Sequence, residues 1–282
     1  MSLVRVAAIQ MVSNFDVENN LATAEQLLLQ AAEQGASLAV LPENFAVLDS
    51  DNLFRWGEEE RQSQIFSGFL QQQAHKLEME IVGGTIPMRQ RLDGSAVSGK
   101  RVTASSLHYN AKGELCSRYD KIHLFDVSVK DQQGQYKESR VIEPGTQWVT
   151  SSTGAGLLGL TVCYDLRFPE LYQRLSAEGA TLFTVPSAFT YRTGEAHWET
   201  LLRARAIENQ AFVIAPDQGG QHSEKRQTWG HSMIVDPWGT VLSQLESGPG
   251  VVLADLDLDW QREIRAAMPT QQHKRFAKTE LT

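Results

Sequence analysis

Cys163 stands between the apolar run Gly-Leu-Thr-Val (159–162) and a sharp turn that leads into Phe-Pro-Glu (168–170), the predicted start of a helix. This layout places a thiol at the end of a buried strand, close to a helix N-terminus. The thiolate is the reactive form of cysteine, and nearby positive charge or a helix N-terminus favours it. A small buried thiol without chemistry is the simpler interpretation of a lone cysteine. The surrounding Tyr-Asp-Leu-Arg-Phe-Pro-Glu favours a nucleophile instead.

Two further residues are suitable partners for such a nucleophile. Glu43 directly follows the apolar run Leu-Ala-Val-Leu-Pro (38–42), and burial there would make its carboxylate a stronger base. Lys121 lies among apolar neighbours at the end of another predicted strand, where a fixed ammonium can stabilise an oxyanion. Taken alone, a turn carboxylate and an exposed strand lysine would explain these two residues as well or better. Together with Cys163 they indicate a nucleophile with a base and an oxyanion partner.

Other reactive arrangements have less support in the sequence. His197 begins a predicted helix, where it could contact a substrate or cap the helix, and a Cys–His pair would need His197 or His231 as its base. The seven histidines are scattered and there is no Cys-x-x-Cys, so we predict no metal site. Gly83-Gly84 and Gly219-Gly220 do not form a phosphate-binding loop, and we expect no cofactor.

The composition is that of an ordinary globular protein, with 282 residues of which 41% are hydrophobic. The net charge of -8 argues against nucleic acid as a partner. The N-terminus lacks the regions of a signal peptide, and no apolar run approaches the roughly 18 residues of a membrane span. Two cysteines fit a reducing, cytoplasmic setting better than a disulfide framework. A single Cys116–Cys163 bridge stays open and would remove Cys163 from catalysis.

The elements that must position these residues alternate between short strands and helices. We predict helices over 17–34, 62–77, 169–178 and 195–209. We predict strands over 4–11, 37–41, 80–86, 103–110, 114–123, 148–151, 157–163, 181–185, 211–217, 231–236, 241–245 and 251–256. Strands 103–110 and 114–123 should form a hairpin, and 126–145 should be a surface loop. A polar tail is expected from about Ala266.

Residues 33–45 and 178–189 form an internal repeat. Three pairs lie 144 positions apart, namely Gly35/Gly179, Pro42/Pro186 and Phe45/Phe189. Each copy contains a helix end, a Gly-Ala turn, a buried strand, a proline and an aromatic residue. Such units are common in α/β proteins, but the shared offset favours a pseudo-twofold sandwich with two sheets face to face and helices outside. The repeat places Glu43 and Ser187 at equivalent strand ends, where α/β proteins tend to bind ligands.

Glu43, Lys121 and Cys163, in this order and these contexts, resemble the nitrilase superfamily of carbon–nitrogen hydrolases, over nearly the whole chain from Val4 to about Phe276. The sequence Cys-Tyr-Asp-Leu-Arg-Phe-Pro-Glu resembles its Nit-type amidase branch. Further segments that resemble this branch are Pro-Ser-Ala-Phe-Thr (186–190), Thr-Gly-x-Ala-His-Trp-Glu (193–199), Leu-Arg-Ala-Arg-Ala-Ile-Glu (202–208) and Glu-Lys-Arg-Gln-x-x-Gly-His-Ser (224–232). The resemblance implies one carbon–nitrogen hydrolase domain over residues 1–282, with an α/β fold that is a four-layer α-β-β-α sandwich.

The resemblance also implies a mechanism. Glu43 would take the proton of Cys163, whose thiolate would attack an amide carbonyl. Lys121 and the backbone N–H of Tyr164 would hold the oxyanion. Glu43 would protonate the departing amine, leaving a thioester, and would then activate the water that releases the acid. Glu138 is the best match to a second catalytic glutamate of the family.

Within this branch the resemblance favours deaminated glutathione as the small-molecule amide substrate, with 2-oxoglutarate and cysteinylglycine as products. An ω-amidase acting on 2-oxoglutaramate is the alternative, and a catalytically silent binding protein on the same fold is the alternative of another class. A nitrilase or a carbamoylase fits less well. The residues expected to bind substrate are Tyr164, Arg167, Ser187, Phe189, Thr190 and His197.

Guanidinium groups pair with carboxylates in a forked geometry, so Arg167, Arg192 or Arg226 could hold the anionic part of the substrate. A structural salt bridge is the alternative for each. The segment Ala-Pro-Asp-Gln-Gly-Gly (215–220) departs from the family's wording, and substrate preference would differ if it lined the pocket. Family resemblance also implies a homodimer, with contacts near 169–178 and 195–209.

Overall fold

The computed structural model describes residues 3–129 and 134–275, and these form six α-helices and fifteen β-strands. The helices are α1 (Val17–Glu33), α2 (Leu53–Ser63), α3 (Ile65–Leu77), α4 (Pro169–Ala177), α5 (Tyr191–Asn209) and α6 (Leu258–Ala267). The strands are β1 (Leu3–Gln10), β2 (Leu38–Leu41), β3 (Glu80–Gly83), β4 (Ile86–Met88), β5 (Thr103–Tyr109), β6 (Leu115–Asp120), β7 (Asp126–Ser128), β8 (Gln135–Lys137), β9 (Thr150–Thr153), β10 (Gly156–Leu160), β11 (Leu182–Thr184), β12 (Phe212–Ala215), β13 (Ser232–Val235), β14 (Val241–Leu245) and β15 (Gly250–Asp257).

The two large sheets have the same plan. One has the order β15-β1-β2-β3-β5-β4, with β6 also paired to β5, and the other has the order β9-β10-β11-β12-β13-β14. In each sheet three parallel strands are flanked by antiparallel ones. Leu38 of β2 and Leu182 of β11, which lie 144 positions apart, occupy the same position in the register of their sheets. The duplication predicted from the sequence repeat is therefore present in the strand topology.

Alternate side chains of β1 enter two different cores, because successive residues of a strand point to opposite faces. Val6 and Ala8 pack in the core shared by the two sheets. Ala7 and Ile9 pack beneath α1 and α3 on the outer side. Helices α4 and α5 cover the second sheet with side chains such as Tyr172 and Trp198. The predicted four-layer α-β-β-α sandwich is confirmed, and burial of the parallel strands on both faces explains their nearly unbroken apolar sequences.

Several elements differ from the sequence prediction. Helix α2 was not predicted, because its face toward the protein buries only Leu53, Gly57 and Glu60 and carries little apolar periodicity. Gln64 then takes a left-handed conformation (φ 53°), and Glu60 accepts the N–H of Phe66 at the start of α3. The helix predicted over 62–77 therefore begins later, at Ile65, where the Glu60 side chain caps it, and the separate helix α2 precedes it.

The segment predicted as a surface loop over 126–145 contains the hairpin of β7 and β8 and a short 3₁₀ helix, Glu138–Arg140. Helix α6 was also missed, although Asp257 caps it by accepting the N–H of Trp260. The chain after α6 contacts the body of the protein through Gln210, whose side chain donates to the carbonyl of Met268. Residues 276–282 of the predicted tail lie outside the described residues, and the single domain over 1–282 stays a prediction.

Strand β2 ends next to a close backbone approach. Gly84 has φ +43°, and a Cβ there would lie 1.9 Å from the carbonyl oxygen of Pro42. The hydroxyl of Thr85 accepts the N–H of Asn44 at 2.9 Å. Residues 84 and 85 therefore contact Pro42 and Asn44, the residues before and after Glu43 in the chain. Only a residue without a side chain allows this approach.

We predict that Gly84→Ala lowers the free energy of unfolding by more than about 3 kcal/mol, since a steric clash adds to the strain of a left-handed backbone. Gly94→Ala is the matched control, because Gly94 also has positive φ (+81°) but has nothing within 4 Å of the added carbon. It should cost about 1–2 kcal/mol. Urea unfolding of both variants measures the difference, and equal losses would contradict the close approach at Pro42.

Candidate active site

Cys163 occupies a sharp turn between a strand and a short helix. It follows β10 by two extended residues, has φ +48°, and begins the 3₁₀ helix Cys163–Arg167. A positive φ is uncommon outside glycine and costs about 1–3 kcal/mol, so the surrounding contacts must hold it. The N–H of Cys163 donates to the carbonyl of Pro186 at 2.9 Å, and Asp165 accepts the N–H of Val162 at 2.8 Å. Cys163 is buried in the core between the sheets, and the turn also places it in the lining of a cleft.

Lys121 joins two glutamates at the base of this cleft. Its Nζ lies 2.7 Å from Oε1 of Glu43, and 2.8 and 3.0 Å from the two carboxylate oxygens of Glu138. Lys121 is 1% exposed, so the alternative of a solvated strand lysine is excluded. The three residues come from the ends of β2 and β6 and from the turn after β8. The structure thus brings Glu43, Lys121 and Glu138 together, while their catalytic roles stay a prediction.

Backbone groups fix the two carboxylates. Oε2 of Glu43 accepts the N–H of Ala188 at 3.0 Å, and the side-chain amide of Gln218 donates to the carbonyl of Glu43 at 3.0 Å. Oε2 of Glu138 accepts the N–H of Phe125 at 2.6 Å. Each glutamate therefore contacts both the Lys121 ammonium and a backbone donor, which limits its freedom to rotate.

The electrostatics of the site set its resting protonation. Burial and the carboxylate of Glu43 raise the pKa of the Cys163 thiol well above its ordinary value, while Lys121 and the N–H of Ala188 oppose this rise. Burial alone would lower the pKa of Lys121, but Glu138 and Glu43 raise it well above its ordinary value. Burial raises the pKa of Glu138, and Lys121 partly offsets this. At neutral pH the cluster holds a thiol and an ammonium, so a thiolate forms only if a neighbouring group accepts the proton of Cys163.

Asp165 connects the nucleophile turn to the lysine segment. It is fully buried and accepts the hydroxyl of Tyr119 at 2.7 Å, and its other oxygen lies 2.7 Å from Nδ1 of His123. The His123 ring stacks on Phe168 at 3.7 Å. Because Tyr119 and His123 lie on either side of Lys121, these bonds fix the lysine relative to Cys163.

A cleft of about 1090 Å³ opens above the cluster. Glu43, Lys121, Glu138 and Cys163 all line it. The substrate-binding residues predicted from sequence that also line it are Tyr164, Phe189 and Thr190. Besides Lys121, its wall carries five cationic side chains despite the negative net charge of the chain, namely Arg55, Lys137, Arg140, Lys225 and Arg226, together with the acidic Asp49 and Asp51.

Three predicted substrate-binding residues do not line the cleft. Nη1 of Arg167 lies 3.3 Å from Nδ1 of His197, and the guanidinium packs over the ring of Phe189 at 5.2 Å, behind the cleft wall. Burial lowers the pKa of Arg167. Ser187 is fully buried and donates to the carbonyl of Val185 at 3.0 Å. These positions support the wall, and their direct contact with a substrate stays a prediction.

Of the three arginines considered for a substrate carboxylate, only Arg226 lines the cleft. Its Nη2 donates to the carbonyl of Ala188 at 2.9 Å, and its guanidinium lies 5.0 Å from the ring centre of Tyr136. Arg192 is exposed and lies outside the lining. No residue of 215–220 lines the cleft either.

Sequence reasoning missed His222, which lines the cleft. Burial lowers its pKa to about 4, so the imidazole is neutral at physiological pH. Nδ1 lies 2.6 Å from the carbonyl of Ser13 and Nε2 lies 2.6 Å from the hydroxyl of Thr228. The only signal was a histidine two residues before the Glu-Lys-Arg segment, which does not by itself indicate a site.

Both cysteines are free, so the Cys116–Cys163 bridge is excluded. Within residues 3–129 and 134–275, no group of three or more His, Cys, Asp or Glu side chains is arranged to hold a metal ion. In the same residues, every helix is too short or too polar to cross a bilayer.

Comparison with known proteins identifies the family to which this chain belongs. Residues 5–266 match the family model for carbon–nitrogen hydrolases. The chain is 41% identical over 271 residues to the deaminated glutathione amidase of Yersinia enterocolitica, covering 96% of this chain and 93% of that protein. Among solved structures, the C. elegans NitFhit protein superposes with a TM-score of 0.87 at 34% identity, over 97% of this chain and 65% of that one. Saccharomyces cerevisiae Nit3, a member of branch 10 of the nitrilase superfamily, gives a TM-score of 0.85 at 30% identity and 97% coverage of both chains.

The chain belongs to the carbon–nitrogen hydrolase family. Its fold is that of the nitrilase superfamily, as the two solved structures show. The resemblance found in the sequence and the predicted enzyme class, a hydrolase of carbon–nitrogen bonds, are both confirmed.

We predict that Lys121→Met lowers the free energy of unfolding at pH 7.5 by about 3–5 kcal/mol, because it leaves two buried carboxylates facing each other. The folded-state pKa values of that carboxylate pair will then exceed their unfolded values. Protonation therefore stabilises the folded variant as pH falls through them, and its deficit relative to the original chain should shrink at pH 5.5. Urea unfolding at the two pH values measures this. Lys112→Met, at an exposed lysine, is the control, and a deficit of the same size at both pH values would contradict the interpretation.

Proposed function

We propose that this protein is a thiol-dependent amidase that hydrolyses deaminated glutathione to 2-oxoglutarate and cysteinylglycine. The observation that carries the proposal is Cys163 beside Glu43, Lys121 and Glu138 at the base of a cleft of about 1090 Å³. Ligand pockets commonly measure about 300–1,000 Å³, so a tripeptide-sized amide has room. The similarity to a deaminated glutathione amidase over 96% of the chain supports this choice of substrate.

Acylation begins with proton transfer from Cys163 to Glu43. The thiolate attacks the carbonyl carbon of the side-chain amide, and the oxygen becomes an oxyanion. We assign its stabilisation to the Lys121 ammonium and the backbone N–H of Tyr164. Glu43 then gives the proton to the amide nitrogen as the carbon–nitrogen bond breaks. Cysteinylglycine leaves, and the 2-oxoglutaryl group stays on Cys163 as a thioester.

Deacylation reverses the role of Glu43. Its carboxylate takes a proton from a water molecule, whose oxygen attacks the thioester carbonyl. The carbon–sulfur bond breaks, 2-oxoglutarate leaves, and the proton returns to Cys163. Glu138 keeps Lys121 charged and directed into the site, because it accepts two of the bonds that the ammonium can donate. We therefore assign Glu138 as the second catalytic glutamate.

Arg226 is our choice for the substrate carboxylate. Deaminated glutathione carries a carboxylate at each end, and Arg226 is the one arginine of the three considered that reaches the cleft. Lys137 and Lys225 lie in the same wall and add positive charge. A guanidinium can hold a carboxylate through two parallel bonds, which fixes orientation as well as charge.

The ω-amidase alternative differs only in the leaving group, because 2-oxoglutaramate carries the same acyl part and releases ammonia. The catalytic residues serve both reactions equally, so the choice depends on the cleft. Its size and its cationic wall favour the longer, doubly charged peptide. Binding alone would not require a buried lysine between two glutamates beside a thiol. The cluster therefore argues against a catalytically silent binding protein.

We also propose a cytoplasmic location and a homodimer formed through the outer faces of α4 and α5. Support comes from the free thiols, from family resemblance and from Ile207 and Tyr191 of α5, which are 48% and 40% exposed. Sedimentation of the purified chain measures its assembly, and a monomer at micromolar concentration would exclude the dimer.

We predict that the purified protein releases 2-oxoglutarate from deaminated glutathione with a higher kcat/KM than from 2-oxoglutaramate. Cys163→Ala should reduce turnover of both by at least about 10³-fold, since it removes the nucleophile. Cys116→Ala is the matched control and should keep full activity, because Cys116 is exposed and outside the cleft. Preference for 2-oxoglutaramate would change the assignment to ω-amidase, and equal inactivity of the original protein and Cys163→Ala would exclude both substrates.

We predict that Arg226→Met raises the KM for deaminated glutathione about 10- to 100-fold, the loss expected for a charge-assisted contact. Arg167→Met and Arg192→Met are matched controls, because both positions lie outside the cleft lining. Their KM values should stay within about twofold of the original. A larger increase in KM for either control than for Arg226→Met would assign the contact to that arginine instead, and unchanged KM in all three would exclude an arginine contact.

A further inference from the structure

One peptide group beside the cleft is held on both edges by charged side chains. The carbonyl of Ala188 accepts Nη2 of Arg226 at 2.9 Å, and the N–H of Phe189 donates to Oδ1 of Asp217 at 2.9 Å. This carbonyl and this N–H belong to the same planar peptide unit. Arg226 and Asp217 therefore fix the orientation of that plane from opposite sides.

The peptide group before it is anchored as well. The carbonyl of Ser187 accepts the backbone N–H of Gln218 at 3.0 Å. The side-chain amide of Gln218 in turn donates to the carbonyl of Glu43 at 3.0 Å. Both peptide groups that flank Ala188, and the backbone of the base, are thus tied to Asp217 and Gln218.

This anchoring matters because of what the N–H of Ala188 contacts. It donates to Oε2 of Glu43 at 3.0 Å, and the same N–H acts to lower the pKa of the Cys163 thiol and so favours the thiolate. When the proton moves from Cys163 to Glu43, negative charge moves in the opposite direction. A single N–H within reach of both groups stabilises the charge before and after transfer. It does so without reorganising only if its direction is fixed.

Asp217 is an unusual residue to find behind the cleft wall. It is fully buried and does not line the cleft. Its second oxygen accepts the N–H of Gly230 at 3.1 Å, and none of the described lysines or arginines forms an ion pair with it. Burial raises its pKa well above the ordinary value, and the hydrogen bonds that it accepts from Phe189 and Gly230 offset this only in part. A buried acid without a cation costs free energy, so a purely structural role would be served better by a neutral side chain.

We propose that Asp217 is a positioning residue for the catalytic pair. Together with Arg226 it locks the Ala188–Phe189 peptide group, so that the N–H of Ala188 stays directed at Glu43 and Cys163 while the proton moves between them. This inference rests on the proposed function, because it assigns a role within the same site. The inference also gives a role to the segment 215–220, whose sequence departs from that of the family. The segment carries Asp217 and Gln218 and acts on the site through them without lining the cleft.

The test compares Asp217→Asn and Asp217→Ala with Asp236→Asn. Asp236 is the matched control, because it is also buried and accepts two backbone N–H groups, those of Trp238 and Thr240, at 2.8 Å each, but it lies in a turn outside the cleft. For each variant we would measure kcat and KM with deaminated glutathione, the rate constant for alkylation of Cys163 by iodoacetamide, and the midpoint of thermal unfolding. Alkylation reports thiolate formation by Glu43 without any substrate.

For Asp217→Asn we expect kcat to fall about 10- to 100-fold, the loss typical of a small misplacement in a catalytic site. KM should change by less than about twofold, since Asp217 does not touch the cleft, and alkylation should slow in parallel with kcat. Asp217→Ala should lower kcat and the alkylation rate further, because asparagine still offers one acceptor to the N–H of Phe189 and alanine offers none. Asp236→Asn should leave kcat and alkylation unchanged at a comparable loss of thermal stability.

Unchanged kcat and alkylation in Asp217→Asn, or the same decrease in Asp236→Asn, would overturn the inference. If Asp217→Asn does not fold, Arg226→Met releases the opposite edge of the same peptide group. It should then slow alkylation of Cys163, and an unchanged alkylation rate would overturn the inference. If the original protein turns over neither amide, the proposed function fails, but the alkylation rates still decide whether Asp217 positions the thiol and its base.

Discussion

The contact of the buried Lys121 ammonium with the buried carboxylate of Glu43 and the partly buried carboxylate of Glu138 is the interaction on which the rest of the site depends. A charge at 1% exposure is tolerated only when it is paired and hydrogen-bonded, and Glu43 and Glu138 meet that requirement together. The lysine holds the two glutamates close to each other, and a backbone N–H fixes each of them in place. The three segments that carry these residues must therefore fold together. A fold that lacked the lysine segment would leave two neighbouring carboxylates without their cation.

This requirement explains why the duplicated sandwich suits the chemistry. Glu43 follows β2 in one sheet and Cys163 follows β10 in the other, and the face-to-face arrangement directs both strand ends to one cleft. Lys121 comes from β6, outside the repeated strands, and Glu138 from the hairpin of β7 and β8. The duplicated sheets thus carry Glu43 and Cys163. Lys121 and Glu138 come from β6 and from the end of the β7–β8 hairpin, which lie outside the duplication.

Sequence reasoning could find the residues that follow apolar strands, because a polar group after a buried run is a local signal. Glu43 and Cys163 were found in this way, and the offset of 144 positions gave the sandwich. Glu138 needed family resemblance, since its short hairpin is mostly exposed and has no apolar period. Arg167 and Asp217 show the remaining limit. The first lies behind the wall and the second acts through a backbone N–H, and neither position follows from a residue's type or spacing.

The raised pKa of the Cys163 thiol does not conflict with the role of nucleophile that we propose for it. That pKa describes loss of a proton to solvent, which would add a second negative charge near Glu43 in a buried site. Transfer from Cys163 to Glu43 instead moves one negative charge by a few ångströms and leaves the net charge of the cluster unchanged. The free-energy cost is then set by how well Lys121 and the N–H of Ala188 stabilise both charge distributions. Since the thiolate is the reactive form, such a thiol reacts only where a base is placed to accept its proton.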